Sequence, residues 1–257
     1  MVQNERHRGV PAVTRAIAIL RRLGKSAEPM GVSQLARELD LVPSTCLHIL
    51  RVLRDEGLVA FDPHSKRYSI DVGILPIARS AIQRNSFAGL IQPHLTALSL
   101  QFGVTAIATR LTEREHMVVV AMSQASLPFR LQVDLGSQFP ALISATGRCM
   151  AAFGALDEAA LREGFGRLQW DHPPSFETWM AEVRQTREDG YALDRNTYIS
   201  GVSILAVPFF DNRGRMAQSL VTIGISTKIE EAGVAAIARR MLDIRDDIAS
   251  MLIGESS

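Results

Sequence analysis

Apolar residues near the start of the chain recur at the three- and four-residue spacing of amphipathic helices. This pattern predicts a first helix that begins at Pro11 and ends near Gly24, and a short second helix with Ser33 as its N-cap. Asp40 and Leu41 are predicted to form the tight turn that follows. The residues that we expect these helices to bury are Val13, Ala16, Ile17, Leu20 and Leu23, and then Leu35, Ala36 and Leu39.

A third helix is predicted to begin at Pro43, because a missing N–H costs nothing at a first helical position. Its apolar residues converge on one side of the helical wheel, and they are Cys46, Ile49, Leu50 and Leu53. The opposite edge is polar and consists of Ser44, Thr45, His48 and Arg51. Donors and acceptors on such an edge suit base edges and phosphates in the major groove of DNA. A solvated polar face would give the same pattern.

Two short strand-like segments, 58–61 and 67–70, follow the third helix and favour the DNA-binding interpretation. The segment between them is rich in turn-forming residues and ends in Lys66. Three helices followed by a basic hairpin are typical of a winged helix-turn-helix domain. In such a domain Lys66 and Arg67 would contact the phosphate backbone or the minor groove.

The rest of the chain mixes helical and strand patterns. A largely helical segment, 74–98, is interrupted at two prolines, and its apolar stripe is expected to pack against a second copy of the chain; the stripe is Ile74, Ile77, Ala78, Ala81 and Ile82. Strands are predicted at 104–111, 117–122, 129–135, 203–210 and 217–226, and helices at 144–154, 158–164, 176–189 and 230–252. The order predicts an α+β fold with a mainly antiparallel sheet and helices packed on it.

Length, composition and charge narrow the class of protein. A chain of 257 residues with 47% hydrophobic and 21% charged residues suits two globular domains. The first 70 residues hold 11 lysines and arginines against 7 aspartates and glutamates, which is weak evidence for nucleic acid at that end. Cys46 and Cys149 lack metal-ligand spacing, and no apolar run could form a signal peptide or cross a bilayer, so we expect a cytoplasmic protein without a membrane segment.

Catalytic motifs are absent from the sequence. There is no GxSxG, HExxH, Walker or GxGxxG pattern, so we expect no enzyme, no catalytic residue, no metal site and no cofactor. A binding site is predicted where Ser144 could cap a helix. The N–H groups of Ala145 and Thr146 would then lie at a positive helix end, which stabilises a carboxylate.

Several runs of residues resemble one family. In the front they are Ser33-Gln34-Leu35-Ala36, Leu41-Val42-Pro43-Ser44-Thr45 and Gly57-Leu58-Val59, and in the back they are the segments 140–150, 190–194 and 201–211. In order and spacing they resemble the IclR family of bacterial regulators over nearly the whole chain. Four positions depart from the family pattern: Asp40 stands where glycine is usual, His48 where arginine is common, and Asn196 and Thr197 where a glutamate pair is common.

The resemblance implies four segments. They are an N-terminal arm at 1–9, a winged helix-turn-helix domain at 10–71 with its helix-turn-helix at about 32–51, a linker and dimerisation helix at 72–98, and a GAF-like effector domain at 99–254. It implies a homodimer or dimer of dimers that binds a palindromic double-stranded operator and responds to a small organic acid. The implied effector site consists of Ala145, Thr146, Asp194, Ile204, Val221 and Ile223.

The nature of the effector is predicted from the late strand of that site. Family members that sense small keto acids place hydroxyl side chains there, whereas this chain has Val221 and Ile223. Two apolar residues on one face of a strand favour an acid with an apolar, in particular aromatic, body. Two alternatives remain at this point: an enzyme with an accessory winged helix, and a DNA binder whose sensor domain no longer functions.

Overall fold

The computed structural model describes residues 10–83, 86–125 and 133–254. The chain divides into two compact units, Met1–Arg84 and Asn85–Ser257. Each unit has its own hydrophobic core, with one core in the first unit and two in the second. None of the helices in the described part is long and apolar enough to cross a membrane.

The first unit contains the three predicted helices and the predicted hairpin. Its helices are α1 (Pro11–Gly24), α2 (Val32–Glu38), α3 (Pro43–Asp55) and α4 (Ile74–Gln83). Its strands are β1 (Met30–Gly31), β2 (Val59–Asp62) and β3 (Arg67–Ile70), which form an antiparallel sheet in the order β1-β3-β2. The strand β1 was not predicted, because two residues are too few to produce a detectable alternation.

Two details of this unit correct the predictions. Val13 and Ile17 are exposed, because α1 turns the face that carries Ile19 and Leu23 toward the core instead. Ser33 is not an N-cap: α2 begins at Val32, Gly31 occupies the cap position two residues earlier than predicted, and no side chain caps the helix. The predicted buried face of α3 is confirmed in full.

The second unit is built on a six-stranded antiparallel sheet. Its strands are β4 (Thr105–Leu111), β5 (His116–Met122), β6 (Gln138–Pro140), β7 (Ala192–Arg195), β8 (Val202–Phe210) and β9 (Met216–Ile225), in the order β6-β5-β4-β9-β8-β7. Its helices are α5 (Ser86–Phe102), α6 (Ser144–Phe153), α7 (Glu158–Gly166), α8 (Phe176–Asp189), α9 (Ser226–Ala232) and α10 (Val234–Gly254). The predicted α+β fold with an antiparallel sheet is confirmed.

The sheet is covered by helices on both faces, because its central strands have apolar residues on both sides. One face packs on α6, α7 and α8 and includes Cys149, Leu161 and Trp179. The other face packs on α5, α9 and α10 and includes Leu95 and Ile237. Alternation along β8 assigns Ile204 to the first core and Leu205 to the second.

The predicted and observed elements of this part do not coincide everywhere. The predicted helix 230–252 is two helices, because Gly233 has φ +88 and ends α9. The helical segment 74–98 corresponds to α4 and α5, with Pro76 in the first turn and Pro93 tolerated inside a helix. The predicted strand 129–135 lies mostly outside the described residues, and its described end is not a strand. The short strands β6 and β7 were not predicted.

Candidate functional site

The polar edge of α3 is the first candidate site, and the structure leaves it open to solvent. Ser44, His48 and Arg51 are exposed and Thr45 is half-buried, while the opposite side of α3 is buried in the core. The turn before α3 is fixed by Asp40, which has φ +52, and by the N–H of Leu41, which donates to the carbonyl of Ala36 at 2.8 Å. Aspartate tolerates the left-handed region better than most residues, so the departure from glycine leaves the turn intact.

The hairpin between β2 and β3 forms a tight, polar tip. The carboxylate of Asp62 accepts hydrogen bonds from the hydroxyl of Ser65 at 2.6 Å and from the N–H of His64 at 2.9 Å, and these bonds lower the pKa of Asp62. Lys66 follows with φ +58; its exposed ammonium group makes no hydrogen bond or ion pair within the described residues, although its charge helps to lower the pKa of Asp62. Arg67 is also exposed, but its Nη1 donates to the carbonyl of Pro29 at 3.1 Å. Of the two predicted cations, Lys66 is therefore the freer one.

The second candidate site is a cavity of about 280 Å³ in the second unit, next to the N-terminus of α6. Four of the six residues predicted for the effector site line it: Thr146, Ile204, Val221 and Ile223. Ile204 and Ile223 are direct partners across β8 and β9, so the three aliphatic side chains form one apolar wall. The other described lining residues are Ile107, Val133, Ser137, Gln138, Phe139, Ile143, Ser144, Tyr198 and Ile199.

Ser144 does not cap α6 as predicted. It is the first residue of the helix, Ile143 is in the cap position, and the side chain makes no capping hydrogen bond. Its φ is +60, in the left-handed region that serine rarely adopts. Its hydroxyl is buried and has no hydrogen-bond partner in the described part of the chain. The first helical hydrogen bond runs from the N–H of Gly147 to the carbonyl of Ile143, so the N–H groups of Ala145 and Thr146 precede it.

Asp194 lies beside the cavity but is not among its lining residues. Its Oδ1 accepts the N–H groups of Thr197 and Tyr198, both at 3.2 Å. Its Oδ2 accepts the hydroxyl of Thr197 at 2.6 Å and Nη1 of Arg148 at 2.9 Å. Arg148 also pairs with Glu182 of α8 at 2.6 Å. The carboxylate is fully used inside the protein, and its role is to hold the loop that places Tyr198 on the cavity wall.

The sequence alone did not predict that Arg148 and Tyr198 belong to the surroundings of the cavity. Arg148 is 1% exposed although it is charged. The sequence could have indicated this buried charge, because Arg148 is a single arginine among the small and apolar residues of α6. Thr197, which replaces an acid common in the family, supplies a hydroxyl to Asp194. Tyr198 lines the cavity, and burial raises the pKa of its phenol, which stays protonated at neutral pH.

Neither cysteine is placed for chemistry. Both are buried, and burial raises the pKa of Cys149 to about 12 and that of Cys46 above its usual value. The thiol, not the thiolate, is therefore the stable form of each at neutral pH. Each cysteine acts as a small apolar residue in its core.

Known proteins resemble this chain over both units. A model of the bacterial transcriptional regulator IclR C-terminal domain matches residues 79–250, and a model of the IclR helix-turn-helix domain matches residues 12–63. The HTH-type transcriptional repressor AllR of Escherichia coli K12 is 24% identical over 248 residues, which cover 95% of this chain and 91% of that protein.

Solved structures agree in fold. The crystal structure of an IclR transcriptional regulator from Alicyclobacillus acidocaldarius has a TM-score of 0.78 at 25% identity and covers 93% of this chain and 98% of that one. An IclR family transcriptional regulator from Brucella abortus has a TM-score of 0.71 at 20% identity, with coverage of 97% and 95%, and shows the fold alone.

The matched families are regulators and not enzymes, so the alternative of an enzyme with an accessory winged helix is set aside. The exposed edge of α3 lies in the matched helix-turn-helix domain, and the cavity lies in the matched C-terminal domain. The chain belongs to the IclR family of bacterial transcriptional regulators, with an N-terminal helix-turn-helix domain that binds DNA and a C-terminal domain that binds a small-molecule effector.

Proposed function

We propose that this regulator reads its operator with the exposed edge of α3 and that an organic acid in the cavity of the second unit changes its affinity for DNA. The observation that carries the proposal is the polarity of α3. Ser44, His48 and Arg51 project from a helix whose other side is locked in the core, as insertion into the major groove requires. His48 is the candidate for contact with a base edge, and Lys66 and Arg67 are the candidates for phosphate contacts.

We propose a homodimer, or a dimer of dimers, on a palindromic operator. Support comes from apolar side chains that the first unit leaves exposed: Val13 and Ile17 on α1, and Leu75 and Ile77 on α4. Ile74 and Ala78 of the predicted stripe are half-buried, and the side chains of Ala81 and Ile82 lie outside the described residues. Burial of such stripes against a second copy would produce a two-fold assembly, which matches two half-sites of DNA. Sedimentation as a monomer at micromolar concentration would refute this.

For the effector we propose an organic acid with a single aromatic or comparably apolar body. The wall formed by Ile204, Val221 and Ile223 offers no hydrogen bond to a compact polar acid, and a volume of about 280 Å³ lies at the small end of ligand sites. Asp194 enters this proposal as a support of the cavity wall and not as a contact of the ligand. The carboxylate of the acid would meet the N–H groups of Ala145 and Thr146.

We further propose that the protein acts as a repressor in the cytoplasm, by analogy with the E. coli relative, whose name describes a transcriptional repressor. The remaining alternative is a DNA binder whose sensor domain no longer functions. A panel that contains benzoate, phenylacetate, pyruvate and glyoxylate separates the two. If no acid changes operator affinity, the effector proposal fails while the DNA-binding proposal stands.

The DNA-binding proposal is tested by fluorescence anisotropy with operator and random duplexes over a range of salt. We expect His48→Ala to lose about 1–3 kcal/mol on the operator and little on random DNA, because base contacts carry sequence information. We expect Lys66→Ala to weaken both duplexes alike and to reduce the slope of log K against log salt by about 1. Equal effects of the two substitutions on both duplexes would contradict the assignment.

A further inference from the structure

The hydroxyl of Ser144 is in an unfavourable position for a purely structural residue. Ser144 is 4% exposed, and its Oγ has neither solvent nor a hydrogen-bond partner in the described part of the chain. A buried hydroxyl without a partner destabilises the folded state. The φ of +60 at the same residue adds backbone strain, which a protein retains mainly where function requires it.

The surroundings of Ser144 indicate what the hydroxyl lacks. Ser144 lines the cavity of about 280 Å³ at the N-terminus of α6, a helix of 10 residues. A serine side chain turns about one bond, so its hydroxyl can reach an atom inside the cavity. Thr146 also lines the cavity, and the N–H groups of Ala145 and Thr146 at this end of α6 are donors outside the helical ladder.

A hydrogen-bond acceptor in the cavity would satisfy this hydroxyl together with the helix N–H groups beside it. No charged side chain from the described ranges lines the cavity, and the nearby carboxylate of Asp194 is already occupied by Arg148 and Thr197. An oxyanion such as a carboxylate accepts hydrogen bonds from a hydroxyl and from helix N–H groups together. A neutral apolar molecule would leave the hydroxyl as unsatisfied as it is without a ligand.

We propose that Ser144 is an effector-binding residue, whose hydroxyl donates a hydrogen bond to a carboxylate oxygen of the effector. This inference rests on the proposed function, in which the cavity binds an organic acid. It assigns to one side chain the selection of a carboxylate over an uncharged analogue with the same apolar body. The strain at Ser144 is then a cost of keeping the donor beside the cavity in the absence of ligand.

The test uses the full-length protein with Ser144→Ala and Ser144→Gly. Titration calorimetry measures the affinity for benzoate and phenylacetate and for toluene, which has the ring but no hydrogen-bond acceptor oxygen. Thermal unfolding without ligand measures stability. We expect both variants to bind the acid at least tenfold more weakly, about 1.4 kcal/mol, and to bind toluene as the unmutated protein does. Their unfolding midpoint should be no lower than that of the unmutated protein. Ser144→Gly should raise the midpoint, because glycine accepts the positive φ.

Ser99→Ala is the matched control. Its buried hydroxyl donates to the carbonyl of Val104 at 2.6 Å, and neither residue lines the cavity. We expect the reverse result there: a lower midpoint and unchanged affinity for the acid.

Two results would overturn the proposal. One is unchanged affinity of Ser144→Ala for an acid that the unmutated protein binds. The other is a lowered midpoint in both Ser144 variants, which would make the serine structural. If the unmutated protein binds no acid of the panel, the proposed acid effector is wrong, and the proposed contact of Ser144 with its carboxylate is wrong as well. If the unmutated protein binds an acid, even weakly, and the Ser144 variants do not, the result supports both the acid effector and the Ser144 contact.

Discussion

Replacement of Arg148 by methionine tests the buried ion pair that supports the cavity. The guanidinium group of Arg148 is 1% exposed and the carboxylate of Asp194 is 0% exposed, so water screens neither of them. Methionine fills much of the same volume but leaves Asp194 as a buried charge with only the N–H and hydroxyl donors of Thr197 and the N–H of Tyr198. Loss of one partner of a buried pair costs about 3–5 kcal/mol. Glu182 is partly exposed and adds little.

The assay follows tryptophan fluorescence during thermal and urea unfolding. Both tryptophans, Trp170 and Trp179, belong to the second unit, so the signal reports this unit even if the DNA-binding domain unfolds separately. A domain of this size loses about 2–4 °C of melting temperature for each kcal/mol, so we expect Arg148→Met to melt about 6–20 °C lower.

Two further variants make this prediction specific. The exposed Arg167, with a side chain 65% accessible, pairs with Glu163, and Arg167→Met should cost less than about 1 kcal/mol. The double variant Arg148→Met with Asp194→Asn should regain part of the lost stability, because the amide oxygen still accepts N–H groups while no net charge is buried. Additive losses in the double variant, or equal effects of the two arginine substitutions, would refute this account of the pair.

Three more outcomes are expected from the same molecule. Gly147→Ala should destabilise the second unit by at least about 1–3 kcal/mol in urea unfolding, because the new methyl group would overlap the backbone of Leu142. Gly166 has open space around it, so Gly166→Ala should change stability by less than about 0.5 kcal/mol. Equal effects of the two substitutions would contradict the packing argument. Val221→Ser should weaken calorimetric binding of an aromatic acid by about 1 kcal/mol or more through lost apolar contact, whereas tighter binding of that acid would exclude an apolar wall. Iodoacetamide at pH 8 should alkylate Cys149 only in denaturant, because a pKa of about 12 keeps the Cys149 thiol protonated in the folded protein and unfolding restores an ordinary pKa. Alkylation of Cys149 in the native protein, detected by mass spectrometry, would show that this thiol is accessible.

Local sequence decided much of the DNA-binding domain. The start of α3 at Pro43, its buried and exposed sides, and the hairpin between β2 and β3 all follow from residues within a few positions of one another. Helical periodicity and turn chemistry act over that distance, so the sequence alone predicts them. The same reasoning correctly assigned Val221 and Ile223 to one face of a strand, because the alternation of a strand is also local.

Other features depend on contacts between distant parts of the chain. Arg148 and Asp194 are 46 residues apart, and only the packing of α6 against β7 brings their charges together. Asp194 thereby holds Arg148 and the N–H groups of Thr197 and Tyr198, and it is not among the residues that line the cavity. The face that α1 buries, and the left-handed backbone of Ser144, are likewise set by packing against neighbouring elements. Helix propensity and hydrophobic periodicity are properties of one segment of the chain. Whether a buried charge or hydroxyl has a hydrogen-bond partner depends on the residues packed around it, and only the tertiary structure determines those.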